Sequence, residues 1–308
     1  MARYPAFPTF RIRPREFDKL LNSSNVTYRA IHLRADTCPC FDPTRGAPEY
    51  TCPVCGGIGR TWTAPAASAH EDALVAGSRT IPERATKALA VPGTLVATYL
   101  DDLGAIVQVA GITLDDAGFV VWPPGTIAQP GTQYTLTYDA PEQGRLHAQG
   151  ITKQRYLEDR GEIVAGQMDV SIPSRLEDLD TPNPAWLAAE HDRFVFPDLK
   201  HRHQQRLTRG RNERLTYQHV RSVTGIRAIV NGALAHYALD EHATIGSSGN
   251  VTWIDASAPP AGAVYVVDYV AAPEYYVFQE LPQQRHIDGM DLPRRVVLRL
   301  FEQYPHRT

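Results

Sequence analysis

All four cysteines of the chain fall between Cys38 and Gly59, as Cys38-Pro39-Cys40, an eleven-residue loop, and Cys52-Pro53-Val54-Cys55-Gly56-Gly57-Ile58-Gly59. Thiolates in this C-x-C and C-x-x-C-x-G-x-G order can converge on one tetrahedral ion at metal–sulfur distances of about 2.3 Å, and zinc fits such a shell best. The glycines after Cys55 let the chain curl back so that backbone N–H groups can point at the charged sulfurs. Two disulfides are the competing chemistry, with free thiols behind it, but bridging Cys38 to Cys40 or Cys52 to Cys55 would close a very small strained ring. The spacing therefore predicts a zinc knuckle with Cys38, Cys40, Cys52 and Cys55 as ligands. A four-thiolate shell leaves no open position for water, so the expected Zn2+ is structural rather than catalytic. His32 is a possible substitute ligand and reads more simply as a strand histidine.

Other chemistry is sparse. The chain has no G-x-S-x-G, phosphate loop, H-E-x-x-H or dinucleotide glycine fingerprint. Its eleven histidines are scattered except for His201 and His203, and the carboxylate pairs Asp101-Asp102, Asp115-Asp116 and Glu177-Asp178 fit exposed turns. Two glycosidase carboxylates need only spatial proximity and would escape such a reading; the expectation is nevertheless a protein that is not an enzyme. A basic run from Lys200 to Arg214 names Lys200, Arg202, Arg206, Arg209 and Arg211 as a candidate interface. It lacks interleaved aromatic residues for base stacking, which favours a solvated face or a subunit contact over nucleic acid.

The elements that must carry these residues are short. A chain of 308 residues with 43% hydrophobic and 21% charged residues is an ordinary globular composition, long enough for two or three domains. Twenty-four prolines and 22 glycines spread along it favour strands and loops over long helices. No apolar run approaches the roughly 18 residues of a membrane span, and a net charge of −3 gives no global pull toward nucleic acid or anionic lipid. The start of the sequence has no apolar signal core, so synthesis in a cytoplasm without membrane association is expected.

The predicted fold class is mainly β: a small zinc knuckle plus two repeated small sandwich- or barrel-like modules, with few short helices. Residues 1–20 read as an N-terminal extended arm, with a helical turn or two over 15–21, and 21–63 as the knuckle segment. A strand over 26–34 feeds Cys38, and Thr61-Trp62-Thr63 leaves the knuckle. The alanine-rich stretch up to about residue 90 is ambiguous between loop and short helix. Module 1 spans 64–150, with a hairpin of 95–99 and 106–109 that 119–122 and 134–138 extend. Residues 151–213 form a connecting β segment containing the basic run, with a hairpin over 162–173 and a strand over 192–196. Module 2 spans 214–282, and 283–308 supplies a closing strand and tail.

The repeat rests on spacing. Gly118, Trp122, Gly131, Tyr134 and Tyr138 recur as Gly249, Trp253, Gly262, Tyr265 and Tyr269, each 131 residues later. Each set describes a hairpin whose tyrosines, four residues apart, share a face. Core and sheet packing is the favoured role for these aromatic residues, and a carbohydrate platform the alternative. Asn231-Gly232 is the strongest hairpin signal in the chain.

Taken together, the knuckle, the doubled β unit and the segment from Asp169-Val170 to Asp192-Arg193-Phe194-Val195 resemble structural proteins of tailed-bacteriophage virions. The nearest likeness is to the neck, where a collar, head-to-tail connector or tail-completion protein joins head to tail. This resemblance covers most of residues 25 to 280, and the knuckle and the repeat are its specific parts. It implies a many-copy homo-oligomeric ring in the virion, assembled in the host bacterial cytoplasm. Its partners would be portal or adaptor, tail-completion or tail-tube proteins, near DNA and without enzymatic activity. Baseplate or tail-tip placement is the nearest variant. The Cys52 to Gly59 motif also looks like half of a DnaJ-type zinc repeat, but its partner is a shorter C-x-C and no His-Pro-Asp occurs.

Overall fold

The computed structural model describes residues 14–304 apart from 24–26, 53, 65, 79–82, 88–89, 92, 116–117, 150–165, 212, 247–248, 255–257, 282–285 and 288–289. Residues 1–13 of the expected arm lie outside the described residues; the remainder of that stretch is helical. Helix α1 (Pro14–Asn22) opens on a proline, which is preorganised for a first helical turn. It docks by polar contacts: buried Asp18 accepts hydrogen bonds from the Ser174 N–H at 2.9 Å and the Ser174 hydroxyl at 2.6 Å.

In chain order, β1 (Thr27–Thr37) runs straight into the cysteine segment, which holds the short pair β2 (Phe41–Asp42) and β3 (Ala47–Pro48) and ends in β4 (Arg60–Thr63). A first module follows: β5 (Ala67–Val75), β6 (Val96–Leu100), β7 (Ile106–Ala110), β8 (Thr113–Leu114), β9 (Val120–Val121) and β10 (Gln133–Pro141). Then come β11 (Gln143–Gln149), β12 (Gln167–Ile172) and β13 (Arg193–Val195). The second module comprises β14 (His201–Thr208), β15 (Val220–Val230), β16 (Ala233–Tyr237), β17 (Ala243–Ile245), β18 (Val251–Trp253) and β19 (Val264–Ala271). The chain finishes with β20 (Glu274–Glu280), the short pair β21 (His286–Ile287) and β22 (Met290–Asp291), and β23 (Arg294–Leu300).

The organising body is a closed six-stranded barrel in the order β11-β12-β23-β20-β13-β1, sealed by pairing of β1 with β11. Alternation along its strands fills the interior with Ala30, Leu146, Met168, Val170, Phe194, Val277, Val296 and Leu298, so it is a solid core. Both modules are insertions into this barrel, the first between β4 and β11 and the second between β13 and β20. Their sheets have the same topology, β5-β10-β6-β7 in one and β14-β19-β15-β16 in the other, and each carries a separate two-stranded flap, β8-β9 or β17-β18. The mainly β class and the recurrence of the unit are thus as the sequence predicts, but the tryptophan and tyrosine strands do not form the expected hairpin. β9 and β18 pair with β8 and β17 in the flaps, while β10 and β19 pair with β5 and β6 or β14 and β15 in the module sheets.

Several local expectations change. The alanine-rich stretch begins as neither loop nor helix: Ala67–Val75 pairs residue for residue with β10 from Gln133 to Pro141, and that ladder overrides the helical preference of alanine and glutamate. No hairpin forms within the described part of 162–173; β12 lies between β11 and β23. Val120–Val121 belongs to the flap rather than to the module sheet. His201–Thr208, placed by sequence in the connecting segment, is an edge strand of the second module. The Asn231-Gly232 turn has positive φ at both residues, 50° and 79°, matching the twist a two-residue hairpin needs.

Candidate metal centre

β1 extends beyond the barrel, where Arg34–Thr37 pairs with β4, and this antiparallel stem delivers Cys38 at one end and receives the chain after Gly59 at the other. The Cys38 N–H donates to the Gly59 carbonyl at 3.0 Å, closing the loop at its base. Inside, Cys38, Cys52 and Cys55 are buried and Cys40 partly so. The Sγ atoms of Cys38 and Cys52 are 3.8 Å apart and those of Cys40 and Cys55 3.4 Å apart. All four lie within 4.8 Å of one another. Four sulfurs at about 2.3 Å from one tetrahedral ion would be separated by roughly 3.8 Å. The cysteine cluster therefore has the size and chemistry to hold a metal ion.

Backbone geometry supports that cluster. Gly56, Gly57 and Gly59 have φ of 61°, 84° and 80°, so the turn after Cys55 uses the left-handed region repeatedly. Its curl brings the Gly59 N–H to 3.2 Å from the Cys55 sulfur, a hydrogen bond that favours thiolate. Backbone N–H groups of Cys55 and Val54 draw the Cys52 thiol down to about 7 against the effect of burial. Burial pushes Cys40 up to about 12. Sulfurs this close cannot all ionise alone, and a cation is what relieves their mutual repulsion.

The segment is anchored through Trp62 on β4. Its indole N–H donates to the His191 carbonyl at 2.9 Å, and its ring stands edge-on to Phe301 at 5.0 Å and Tyr304 at 5.6 Å. Arg193 of the barrel places its guanidinium 3.4 Å from the Phe301 ring centre and 5.1 Å from that of Trp62. Its ion-pair partner is Glu274, and both are almost wholly buried. Glu274 also accepts from the Gln218 N–H of the second module at 2.9 Å. His32 is engaged elsewhere, 2.7 Å from Asp192, so it has no place among the thiols.

The basic run alternates between outward and inward positions. On edge strand β14, Arg202, Gln204 and Arg206 face outward while His201 and Leu207 are buried. Lys200 and Arg211 are exposed in the flanking segments. Arg209 is committed to Glu213 at 2.8 Å and lies 5.7 Å from the centre of the Trp253 ring. Asp268, beside Gln204 and Arg227, adds negative charge to that sheet.

Sequence reasoning missed a pair of carboxylate knots. Glu213 accepts from the Trp253 indole N–H at 2.8 Å, the Tyr265 hydroxyl at 2.6 Å and the Gly210 N–H at 2.8 Å. Glu83 takes the same place in the first module, 3.3 Å from the Trp122 indole and 2.9 Å from the Tyr134 hydroxyl. The recurrent tetrapeptides Glu83-Arg84-Ala85-Thr86 and Glu213-Arg214-Leu215-Thr216 were the available signal. Both indoles are thus fixed edge-on to tyrosines, Trp122 5.1 Å from Tyr134 and Trp253 5.2 Å from Tyr265, which gives them packing roles. No family model and no curated protein matches the chain. No helix among the described residues is long and apolar enough to cross a membrane.

Proposed function

We propose that this chain is a non-enzymatic structural component of a tailed-phage virion, working in the neck as a homo-oligomeric ring that joins head to tail. The observation that carries this reading is the doubling of one module on one barrel, each copy offering bare aliphatic side chains at the same hairpin. In the first, Leu100 is 61%, Leu103 93% and Ile106 72% exposed; in the second, Ile229 is 70% and Leu234 62% exposed. Aliphatic groups concentrated at loop tips are suited to burial against another protein. Neighbouring subunits and the portal, adaptor, tail-completion or tail-tube proteins are the partners this reading assigns to them. The cysteine cluster holds Zn2+ and keeps the Trp62-anchored segment rigid, a staple where the local core is thin.

The test is direct. Purified protein, alone and mixed with portal or tail-completion proteins, is imaged by negative stain and weighed by mass photometry. Rings are expected. A monomer at every concentration, with and without those partners, overturns the reading. Zinc is tested separately: purified chain should carry it, and the double variant Cys52→Ser/Cys55→Ser should lose it together with the order of residues 38–63.

A further inference from the structure

The described residues hold a second group of metal-ligating side chains, far in sequence from the cysteines. His201 and His203 are two residues apart on β14, so they share one face of an edge strand. Their rings stack with centroids 5.7 Å apart. Tyr217 stands edge-on to both, 5.1 Å from each, and Tyr269 stands edge-on to His203 at 5.6 Å. Into this aromatic box the 3-10 turn Phe301–Gln303 brings Glu302, whose carboxylate oxygen is 3.3 Å from His203 Nδ1. One ligand atom from each of His201, His203 and Glu302 lies within 4.8 Å of the other two.

We infer that His201, His203 and Glu302 form a second metal site, for a late first-row divalent ion such as Zn2+, that fastens the C-terminal turn to the second module. Imidazole nitrogens and a carboxylate oxygen bind such ions at about 2.0–2.2 Å, which sets ligand atoms roughly 3.3–3.6 Å apart in a tetrahedral shell. The His203–Glu302 separation is already at that value. His201, whose ligand atom lies within 4.8 Å of the other two, must close by at most about 1.5 Å to reach that spacing, within reach of a rotation about its side-chain bonds. Two imidazoles and one carboxylate leave positions free in the shell. The Tyr217 hydroxyl, wholly buried beside the cluster, has no hydrogen-bond partner among the described residues. A water on the ion would be placed in a region where a buried polar group remains to be satisfied.

The location gives the site a purpose. Glu302 lies between Phe301, which stacks under Arg193, and Tyr304, which packs against Trp62 of the cysteine stem. An ion bridging Glu302 to β14 would lock the turn that joins barrel, second module and cysteine segment. It would be a separate fastener of different ligand chemistry, with nitrogen and oxygen in place of sulfur.

Cobalt distinguishes the two sites by colour. Full-length chain is stripped of metal under reducing conditions and titrated with Co2+ alone. Two equivalents should bind, one with intense thiolate-to-cobalt charge-transfer absorption and one with ligand-field bands only. Glu302→Gln and His203→Asn should each weaken the second equivalent at least tenfold and leave the thiolate bands intact. Cys52→Ser/Cys55→Ser should remove the thiolate bands and leave the second equivalent. Glu302 is a mild site to alter, because its side chain is about one-third exposed (35%), and far-UV circular dichroism confirms that each variant is folded. Absence of any equivalent with ligand-field bands alone in the wild-type chain, or such an equivalent indifferent to both Glu302→Gln and His203→Asn, overturns the inference.

Discussion

At the scale of single residues, Gly57 shows how backbone and metal chemistry meet. Its φ of +84° already disfavours a side chain, and a Cβ there would lie 2.7 Å from the Tyr50 carbonyl oxygen. Gly46, in the same segment, has a φ of +63° with nothing within 4 Å of its would-be Cβ. Alanine at either position adds backbone strain of about 1–2 kcal/mol, but only at Gly57 must the loop also move. Gly57→Ala should therefore weaken metal retention at least tenfold more than Gly46→Ala, measured by competition with a chromophoric chelator. Equal retention would mean that the close approach of Gly57 to Tyr50 is irrelevant to the site. The cysteine cluster was legible in sequence because its ligands sit within one short loop, where spacing nearly dictates proximity. The Arg193–Glu274 pair was not, because its partners are 81 residues apart and nothing local marks either as buried.

At the scale of elements, each module is clasped by a side-chain acceptor on its edge strand that holds the tyrosine strand beside it. On β5, Asp72 accepts from the Tyr138 hydroxyl at 2.6 Å and the Thr86 N–H at 2.9 Å. On β14 the equivalent acceptor is the neutral Gln205, 3.2 Å from the Tyr269 hydroxyl and 2.7 Å from the Thr216 N–H. The second module instead concentrates its charge in Glu213. Burial alone would raise that carboxyl, but hydrogen bonds from Tyr265, the Gly210 N–H, Trp253 and Arg209 outweigh it and hold the group below its ordinary value. A depressed carboxyl stabilises the fold above its unfolded pKa, about 4.3, and that contribution fades as pH falls through the lower folded value. Glu213→Gln should cost about 1.5–3 kcal/mol at neutral pH, the usual worth of hydrogen bonds to a charged group. It should also flatten the loss of module stability between neutral and acid pH. The Trp253 indole N–H resonance, followed by NMR against pH and urea, reads both effects; an unchanged acid profile in the variant would assign the sensitivity elsewhere. The repeat was readable from Trp122 and Trp253 because aromatic spacing survives at a fixed offset. Ala67–Val75 was not readable as a strand, because alanine and glutamate carry no β signal and β10 alone makes it one.

At the scale of the whole molecule, the barrel is discontinuous, and that is why sequence reading divided the chain differently. Its strands come from six separate stretches, at 27–37, 143–149, 167–172, 193–195, 274–280 and 294–300, and no periodicity announces that β1 will close against β11. Discontinuity also makes the two insertions unequal. The first module has its own core of Leu74, Leu95, Ala97, Ile112, Leu136 and Tyr138, with no barrel residue in it. The second shares one core with Tyr276, Phe301 and Tyr304, against which Ile58 and Trp62 of the cysteine segment pack. Glu274 stands at that junction, neutralising Arg193 and holding the Gln218 N–H. Glu274→Ala would leave a buried guanidinium uncompensated, a change that typically costs about 3–5 kcal/mol. Under native-state hydrogen exchange, amide protection should fall together in β13, β20, β4 and the second module, while β5, β6 and β10 of the first module keep theirs. A uniform fall that reached β5, β6 and β10 equally would show that the chain opens as one unit and that the separate core confers no independence. If protection is lost only where predicted, the first module opens independently of its host, while β13, β20, β4 and the second module open as one coupled unit through the core they share.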